Sequence, residues 1–276
     1  MRETLRSYVK PWELDAVDHF TVAFYCRAVS SAAMRLLVEL GWELRDPDLP
    51  WTKSCWTRFF KELQGGDAYH VLSGVIEAGD EEIVLGHKLI NSEHDELCTT
   101  FVQRLHGGAK SAARADAASD FPEREPARRA EPGPQSNWVR TATTLVRPED
   151  LDPAGRMDLS AFIHHASDAN VQVQNAIGMT SSYMRESRIG YATAEYQLTF
   201  LSAPPPLGTA IETKSTVAHI GNSSLWFVHR FHDASNDQPL AELAQMGVHL
   251  DLAARRPSPV PDHIRERVAA LIGEEC

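Results

Sequence analysis

Acidic side chains cluster in two short stretches, each just before a long segment with helical apolar spacing. The first stretch holds Asp15, Asp18 and His19, and the second, EDLDPAGRM, has Asp152 at its centre. A carboxylate in such a place can attack an electrophilic carbon or deprotonate a water molecule. The same residues are also typical of an acidic turn ahead of a helix, whose N-terminus favours negative charge. The surrounding sequence must decide between these interpretations.

An internal repeat relates the two stretches. Residues 9–41 align with residues 146–178 without a gap, and residues 66–91 align with residues 208–233. Such self-similarity predicts that the chain contains one structural unit twice. The alignment pairs Asp15 with Asp152, His87 with His229 and, after one inserted residue, His106 with His249.

Each repeat is predicted to be a helix followed by antiparallel strands. Apolar residues recur at the helical period, so we expect helices that begin near Val22 and Leu159 and end at the glycine that closes each segment. Runs rich in β-branched and aromatic residues follow, separated by turn signals. This order predicts an α+β fold in which a sheet wraps a helix.

The segment between the repeats has a different composition. Residues 107–137 are rich in Ala, Pro, Arg and acidic residues and have almost no large apolar side chain, which is typical of a flexible linker. The sequence therefore predicts an N-terminal domain at 1–106 and a C-terminal domain at 138–276.

The repeat resembles a known family at this point. The stretch from Asp150 to Gly155 is similar to the active-site loop of the 4-hydroxybenzoyl-CoA thioesterases, in which the aspartate before Pro-Ala-Gly is catalytic. The opening V-x-P-x-x-L-D and the stretch HLDLAARRPSPVP are similar to the betainyl-CoA thioesterases. The resemblance implies two tandem hotdog domains that form a pseudo-dimer, each a long central helix wrapped by an antiparallel sheet. It also implies hydrolysis of an acyl-CoA or acyl-carrier thioester, with Asp152 or its counterpart Asp15 as the acid.

Both copies depart from the D-x-x-G-H-M pattern of that family. The first copy keeps His19 but has Asp18 in place of Gly, whereas the second keeps Gly155 but has Arg156 in place of His. Which copy is active therefore stays open. The resemblance also implies self-association into a homo-oligomer, since paired hotdog units often associate.

Several further residues are candidates for the site. Asp168 is a second candidate acid, because some hotdog thioesterases carry their acid on the central helix. The first amides of helices starting at Val22 and Leu159 could polarise a thioester carbonyl. Two aromatic and two basic residues are candidates for binding the acyl group and the CoA phosphates, although core packing and a solvated surface are the competing interpretations: Tyr25, Trp56, Arg255 and Arg256.

The composition argues against nucleic-acid-binding, membrane-spanning and metal-binding proteins. A formal net charge of −11 without a basic stripe argues against nucleic acid as a partner. No apolar run is long enough to span a membrane, and the N-terminus lacks a signal sequence, so we expect a cytoplasmic protein. The four cysteines lack metal-binding spacing and are interpreted as reduced thiols, and neither a metal nor another cofactor is expected.

Two alternatives remain open from the sequence. One is a hydratase or dehydratase that acts on an acyl thioester through an Asp/His pair. The other is a catalytically silent module that binds acyl-CoA or acyl-carrier protein, for which broken motifs in both copies would be expected.

Overall fold

The computed structural model describes residues 1–15, 18–108, 110, 121, 125–127 and 131–273 and divides into two compact units. The first unit consists of Met1–Glu125, Val146–Ile163 and Ala203–Gly208, and the second of Pro126–Leu145, His164–Ser202 and Thr209–Cys276. The two acidic loops, residues 14–21 and 151–158, consequently belong to the same unit. We call them the first loop and the second loop.

The first unit is built on a five-stranded antiparallel sheet and a long helix. The helix α1 spans Val22–Glu39. The strands pair in the order β1-β3-β4-β5-β2. Their bounds are Arg2–Tyr8 for β1, Trp51–Phe59 for β2, Ala68–Ala78 for β3, Glu82–Asn91 for β4 and Glu96–His106 for β5.

The second unit repeats this plan. Its strands pair antiparallel in the order β6-β8-β9-β10-β7, and the short β11 pairs with β10. Helix α2, Leu159–Ala176, begins in the first unit and continues into the second. The other bounds are Val139–Leu145 for β6, Ser181–Ser187 for α3, Ile189–Phe200 for β7, Ala210–Ile220 for β8, Ser224–Asp233 for β9, Pro239–Asp251 for β10, Arg256–Pro257 for β11 and Asp262–Ile272 for α4.

Apolar residues at the helical period favour helix α1, and Gly41 favours its end. One face packs on the sheet of the first unit, and Gly41 takes the left-handed conformation, φ +91°, that a helix C-terminus favours. The predicted helix starts at Val22 and Leu159 are confirmed. The buried cluster under α1 comprises Ala33, Leu36, Leu37, Leu40, Trp42, Leu49, Val75, Ile83, Leu85 and Leu105.

A row of buried polar side chains crosses the first sheet, one from each strand. Thr4 Oγ1 lies 2.7 Å from Ser73 Oγ, which lies 2.7 Å from His87 Nδ1. Gln103 follows on β5 and donates from Nε2 to Thr52 Oγ1 at 2.7 Å. Because successive strand residues face opposite sides, a one-residue slip of any strand would break this row.

The second sheet carries the same row. Thr141 Oγ1 lies 2.6 Å from Ser215 Oγ, which lies 2.7 Å from His229 Nδ1, and Gln245 Nε2 donates to Thr193 Oγ1 at 2.9 Å. His229 and Gln245 are thus the counterparts of His87 and Gln103. The repeat therefore reaches beyond the acidic loops into the packing of both sheets.

The expected pairing of His106 with His249 is wrong. His106 pairs with Glu82 across the first sheet, while Val248 pairs with Ser224 at the matching place in the second. The strands β9 and β10 run without a register shift through this region, so there is no inserted residue to accommodate. His106 therefore corresponds to Val248.

The two buried histidines should make stability depend on pH. Burial lowers the pKa of His87 and of His229 to about 4, against 6.5 for an ordinary histidine. Between these pH values the unfolded chain binds more protons than the folded chain, so the free energy of unfolding should rise with pH across this window. The full change is roughly 3 kcal/mol per histidine. Urea denaturation between pH 5 and 7 measures it, and His87→Gln should show a shallower pH dependence than the wild type; equal slopes would contradict the assignment.

Two described residues of the segment between the repeats, Lys110 and Phe121, contact the first unit. The larger part of the predicted flexible linker, 107–137, lies outside the described residues. Lys110 donates to the Gly41 carbonyl at 2.7 Å and lies 4.2 Å from the Trp42 ring centroid. Phe121 packs against a cluster on the face of the sheet opposite α1, where Gly86 leaves room for its ring: a Cβ on Gly86 would lie 2.6 Å from Phe121 Cδ2.

Removing the Phe121 ring should destabilise the first unit. Phe121→Ala would expose Trp56 and its aliphatic neighbours on that face, and we expect a loss of about 2 kcal/mol, less than for a fully buried ring. Chemical denaturation measures the loss. Phe121→Leu is the matched control and should recover most of it; an unchanged Phe121→Ala midpoint would contradict the packing role.

Candidate active site

The two acidic loops share one backbone frame. The main-chain N–H of Asp15 donates to the His19 carbonyl at 2.8 Å, and that of Asp152 donates to the Arg156 carbonyl at 2.6 Å. Asp18 has φ +63° and the equivalent Gly155 has φ +82°. Both loops thus make the same left-handed turn, which favours glycine and tolerates aspartate. Where both loops are described, they share these main-chain features and differ in their side chains.

The carboxylate of Asp152 is saturated by donors of its own loop. Its Oδ1 accepts the main-chain N–H groups of Ala154 and Arg156, both at 2.9 Å. Its Oδ2 accepts Nε and Nη2 of Arg156 at 3.1 and 3.0 Å. The Asp152 side chain is 7% exposed, and Arg156 also donates to the Leu49 carbonyl at 3.0 Å. Both oxygens of this carboxylate are thus engaged by donors of its own loop, and a substrate or water molecule would have to displace one of them.

Asp158, at the end of the second loop, caps helix α2. Its Oδ2 accepts the Ser160 main-chain N–H at 2.8 Å and the Ser160 hydroxyl at 2.6 Å. The Ser30 hydroxyl on α1 donates to the same oxygen at 3.0 Å. This carboxylate therefore ties the start of α2 to α1, which is a structural use of its charge.

The first loop is arranged differently. Asp15 is exposed, and its Oδ1 accepts the His19 main-chain N–H at 3.0 Å. The His19 imidazole, where the second loop has the Arg156 guanidinium, lies with Nε2 3.1 Å from Glu62 Oε2. Sequence reasoning missed Glu62, because a contact between a loop and a segment that follows a distant strand leaves no local pattern.

The starts of the two helices also differ. Thr21 occupies the cap position of α1, and among the described residues its side chain makes no capping hydrogen bond. Asp158 occupies the equivalent position of α2 and does cap. The positive end of the α1 dipole is thus left without a carboxylate cap beside the first loop.

The predicted aromatic residues of the acyl pocket both lie in packed surroundings. Tyr25 is 3% exposed among the rings of Phe20 and Phe59, and its hydroxyl accepts the Leu63 main-chain N–H at 2.9 Å. Burial raises the pKa of Tyr25 well above its usual range. Trp56 is 4% exposed and lies on the face of the sheet opposite α1.

The remaining predicted residues are spread over both units. Val22 and Leu159 are the first residues of α1 and α2. Asp168 is exposed on the part of α2 that belongs to the second unit. Arg255 and Arg256 are exposed in the second unit at the start of β11. In the first loop the structure brings Asp15, Asp18 and His19 close together just before Val22.

The cysteines offer weak nucleophiles. Cys26, Cys55 and Cys98 are buried free thiols, and Cys276 lies outside the described residues. Burial raises the pKa of Cys55 to about 12 and that of Cys98 to about 11. Burial also raises the pKa of Cys26, with Asp158 adding to the effect. A thiol must ionise to act as a nucleophile, so these three are structural.

Among the described residues, no group of three or more His, Cys, Asp or Glu side chains has the arrangement of a metal site. No helix in the described part of the chain combines the length and apolar character required to cross a membrane.

Comparison with known proteins identifies the family. The model of the thioesterase-like superfamily matches residues 9–124 and again residues 146–268. The chain belongs to the thioesterase-like superfamily. Both matches begin just before an acidic loop and run through the helix and strands that follow. A search of curated protein sequences found no match.

Solved structures show the fold of this family member. An acyl-ACP thioesterase from Bacteroides thetaiotaomicron VPI-5482 superposes with a TM-score of 0.67 at 9% identity, covering 88% of this chain and 96% of that one. The 12:0-ACP thioesterase from Umbellularia californica gives a TM-score of 0.64 at 9% identity, covering 89% and 93%. The predicted α+β fold of two tandem hotdog domains is confirmed.

The two loop aspartates should respond differently to neutralisation. Asp152→Asn would leave the Arg156 guanidinium without its carboxylate in a largely buried place, and we expect a loss of roughly 2 to 4 kcal/mol in the free energy of unfolding. Asp15→Asn removes an exposed charge and should cost less than about 1 kcal/mol. Chemical denaturation of the two variants in parallel measures the difference, and equal losses would show that the Asp152–Arg156 pair is not the stronger contact.

Proposed function

We propose that this chain hydrolyses an acyl thioester and that Asp15 is the acting carboxylate. The observation that carries the proposal is the contrast between the loops. In the second loop the Arg156 guanidinium is hydrogen-bonded to the Asp152 carboxylate. In the first loop the His19 imidazole lies beside the Glu62 carboxylate, and Asp15 is exposed. Family membership supports thioester chemistry, and the loop contrast supports the choice of copy.

The reaction needs a base and donors for the carbonyl oxygen. Asp15 would take a proton from water, whose oxygen forms a bond to the thioester carbon. The negative charge that develops on the carbonyl oxygen would be stabilised by the first amides of α1, near Val22. The carbon–sulfur bond then breaks, the thiolate leaves with the electron pair, and the proton on Asp15 returns to the sulfur or to solvent.

The carrier of the acyl group is a further part of the proposal. The two solved neighbours with the higher TM-scores are named for acyl-ACP substrates, whereas the loop resembles that of CoA thioesterases. Both carriers present the same pantetheine thioester, so one site can be tested with both. Arg255 and Arg256 remain predictions as phosphate contacts, and Asp168 remains the second candidate acid. Self-association and a cytoplasmic location are likewise predictions from the sequence.

The first test is thiol release by the wild type, Asp15→Asn and Asp152→Asn. The substrates are a panel of acyl-CoA thioesters and acyl-carrier proteins. We expect Asp15→Asn to lose about 100-fold to 10,000-fold in kcat. Asp152→Asn should keep its activity per folded molecule. Loss of activity in folded Asp152→Asn alone would place the site in the second loop.

The same panel tests the alternatives. If no thioester releases thiol, the proposal fails, and binding titrations of acyl-CoA then test the silent module. If 3-hydroxyacyl-CoA instead yields enoyl-CoA, the chain is a dehydratase.

A further inference from the structure

A cavity lies on the sheet of the second unit, on the face opposite α2. Phe227 of β9 packs in one cluster with Val173 of α2, and cross-strand pairs put Tyr196 of β7 on the same face of the sheet. The next residue, Gln197, therefore faces the other side, and it lines the cavity. The cavity volume is about 430 Å³, within the range of about 300 to 1,000 Å³ that small-molecule sites have.

The first unit fills the equivalent place with large side chains. The Arg58 guanidinium carbon lies 5.9 Å from the Trp56 ring centroid and 4.9 Å from that of Phe60, so three large side chains stack on this face. Cross-strand pairing gives their counterparts in the second unit, which are smaller: Gln197, Thr199 and Leu201. The same register puts Ala244 where the first unit has Val102. The cavity therefore lies where the first unit has this stack.

A buried amide in the cavity wall has one atom without a hydrogen-bond partner. Gln197 is 8% exposed, and its Nε2 donates to the Pro126 carbonyl at 3.1 Å. That bond fixes the orientation of the amide, because the opposite orientation would place two carbonyl oxygens against each other. Within the described part of the chain, Gln197 Oε1 accepts no hydrogen bond. A buried acceptor without a donor is costly, so a ligand that supplies an N–H would be favoured there.

The rest of the wall favours a ligand without net charge. Arg230 and Glu242 pair with each other at 2.7 Å, so each of these charges is already compensated. Burial lowers the pKa of His232 below its usual value, which keeps the imidazole neutral at pH 7, and its buried Nδ1 has no hydrogen-bond partner among the described residues. Leu201 and Ala244 add apolar surface.

The two unpartnered atoms belong to residues that are far apart on the sheet. Gln197 of β7 is level with Val228 of β9, with β10 between them, and Val228 precedes His232 by four residues. Since strands lie about 4.8 Å apart and residues along a strand about 3.3 Å apart, the backbones of Gln197 and His232 are roughly 16 Å from each other. A single small group cannot contact both side chains, whereas an extended molecule can.

We propose that this cavity binds a small, uncharged, extended molecule with amide N–H groups, one of which donates to Gln197 Oε1. The pantetheine arm of an acyl carrier and a short peptide both have this chemistry. The cavity belongs to the second unit and the first loop to the first unit. The inference therefore does not depend on the hydrolysis proposed for Asp15.

Isothermal titration calorimetry at pH 7 tests the proposal with three probes. Two are uncharged amides, pantetheine and N-acetyl-alanyl-alanine methylamide, and at least one of them should bind with saturation; the probe that binds identifies the source of the ligand. The third is pantothenate, which has a carboxylate where pantetheine has its second amide. Pantothenate should bind at least about 10-fold more weakly than the amide probe, because it adds a charge and lacks a donor. Equal affinity for pantothenate would overturn the proposal.

Variants of the cavity wall locate the binding. Gln197→Leu removes the acceptor at similar volume and should weaken binding at least about 10-fold. Thr199→Arg introduces the residue of the first unit at an exposed position, and it should block the cavity with little effect on folding. Gln172→Leu, the same type of change on the exposed face of α2, is the matched control and should bind as the wild type does.

The outcomes that would overturn the proposal are distinct from those that test the hydrolysis. No saturation by either amide probe up to roughly 10 mM would overturn it, as would unchanged affinity in either cavity variant. Thermal melting verifies that each variant is folded. Thiol release is not the readout here, so an inactive wild type would refute the proposed function and leave the cavity proposal standing.

Discussion

The register of each sheet is the constraint on which the rest of this structure depends. A row of polar side chains, one from each strand, crosses each sheet, and hydrogen bonds join His87 to Ser73 in one unit and His229 to Ser215 in the other. Buried polar groups are costly when they lose their partners, so the row allows one alignment of the strands. That alignment sets where each strand ends, and thereby where the segment holding Glu62 meets the first loop.

Duplication has conserved the backbone of the two loops and changed the chemistry of their side chains. The left-handed turn at Asp18 and Gly155 and the main-chain bonds around it are the same. In the second loop the side chains make structural contacts. Arg156 donates to Asp152 and to the Leu49 carbonyl, and Asp158 accepts a hydrogen bond from Ser30 on α1. The first loop keeps an exposed aspartate at an uncapped helix start. The side chains of the second loop thus support the fold, whereas the first loop is the one proposed to react.

Much of the fold was predictable because local sequence patterns specify the helices and strands. The period of apolar residues marks the helix starts at Val22 and Leu159, and alternating β-rich runs mark the strands. The predictions that depend on longer-range geometry were less successful. The sequence alignment paired His106 with His249 by assuming one inserted residue. The pairing of β9 with β10 shows no register shift in this region, so no residue is inserted there. The face on which Trp56 lies was likewise not readable from its neighbours in sequence, because a register irregularity precedes it on β2.

The sequence by itself determined that the chain is a duplicated α+β unit with an acidic turn before each helix, and it named the aspartates, the histidine and the arginine that matter. Only the tertiary structure decided what the Arg156 and His19 side chains contact. The Arg156 side chain reaches Asp152 within its own loop, but His19 lies beside Glu62, which belongs to the segment after β2, far along the chain. Periodicity and turn residues specify backbone conformation locally, whereas an ion pair depends on distances of about 3 Å that the pairing of distant segments sets.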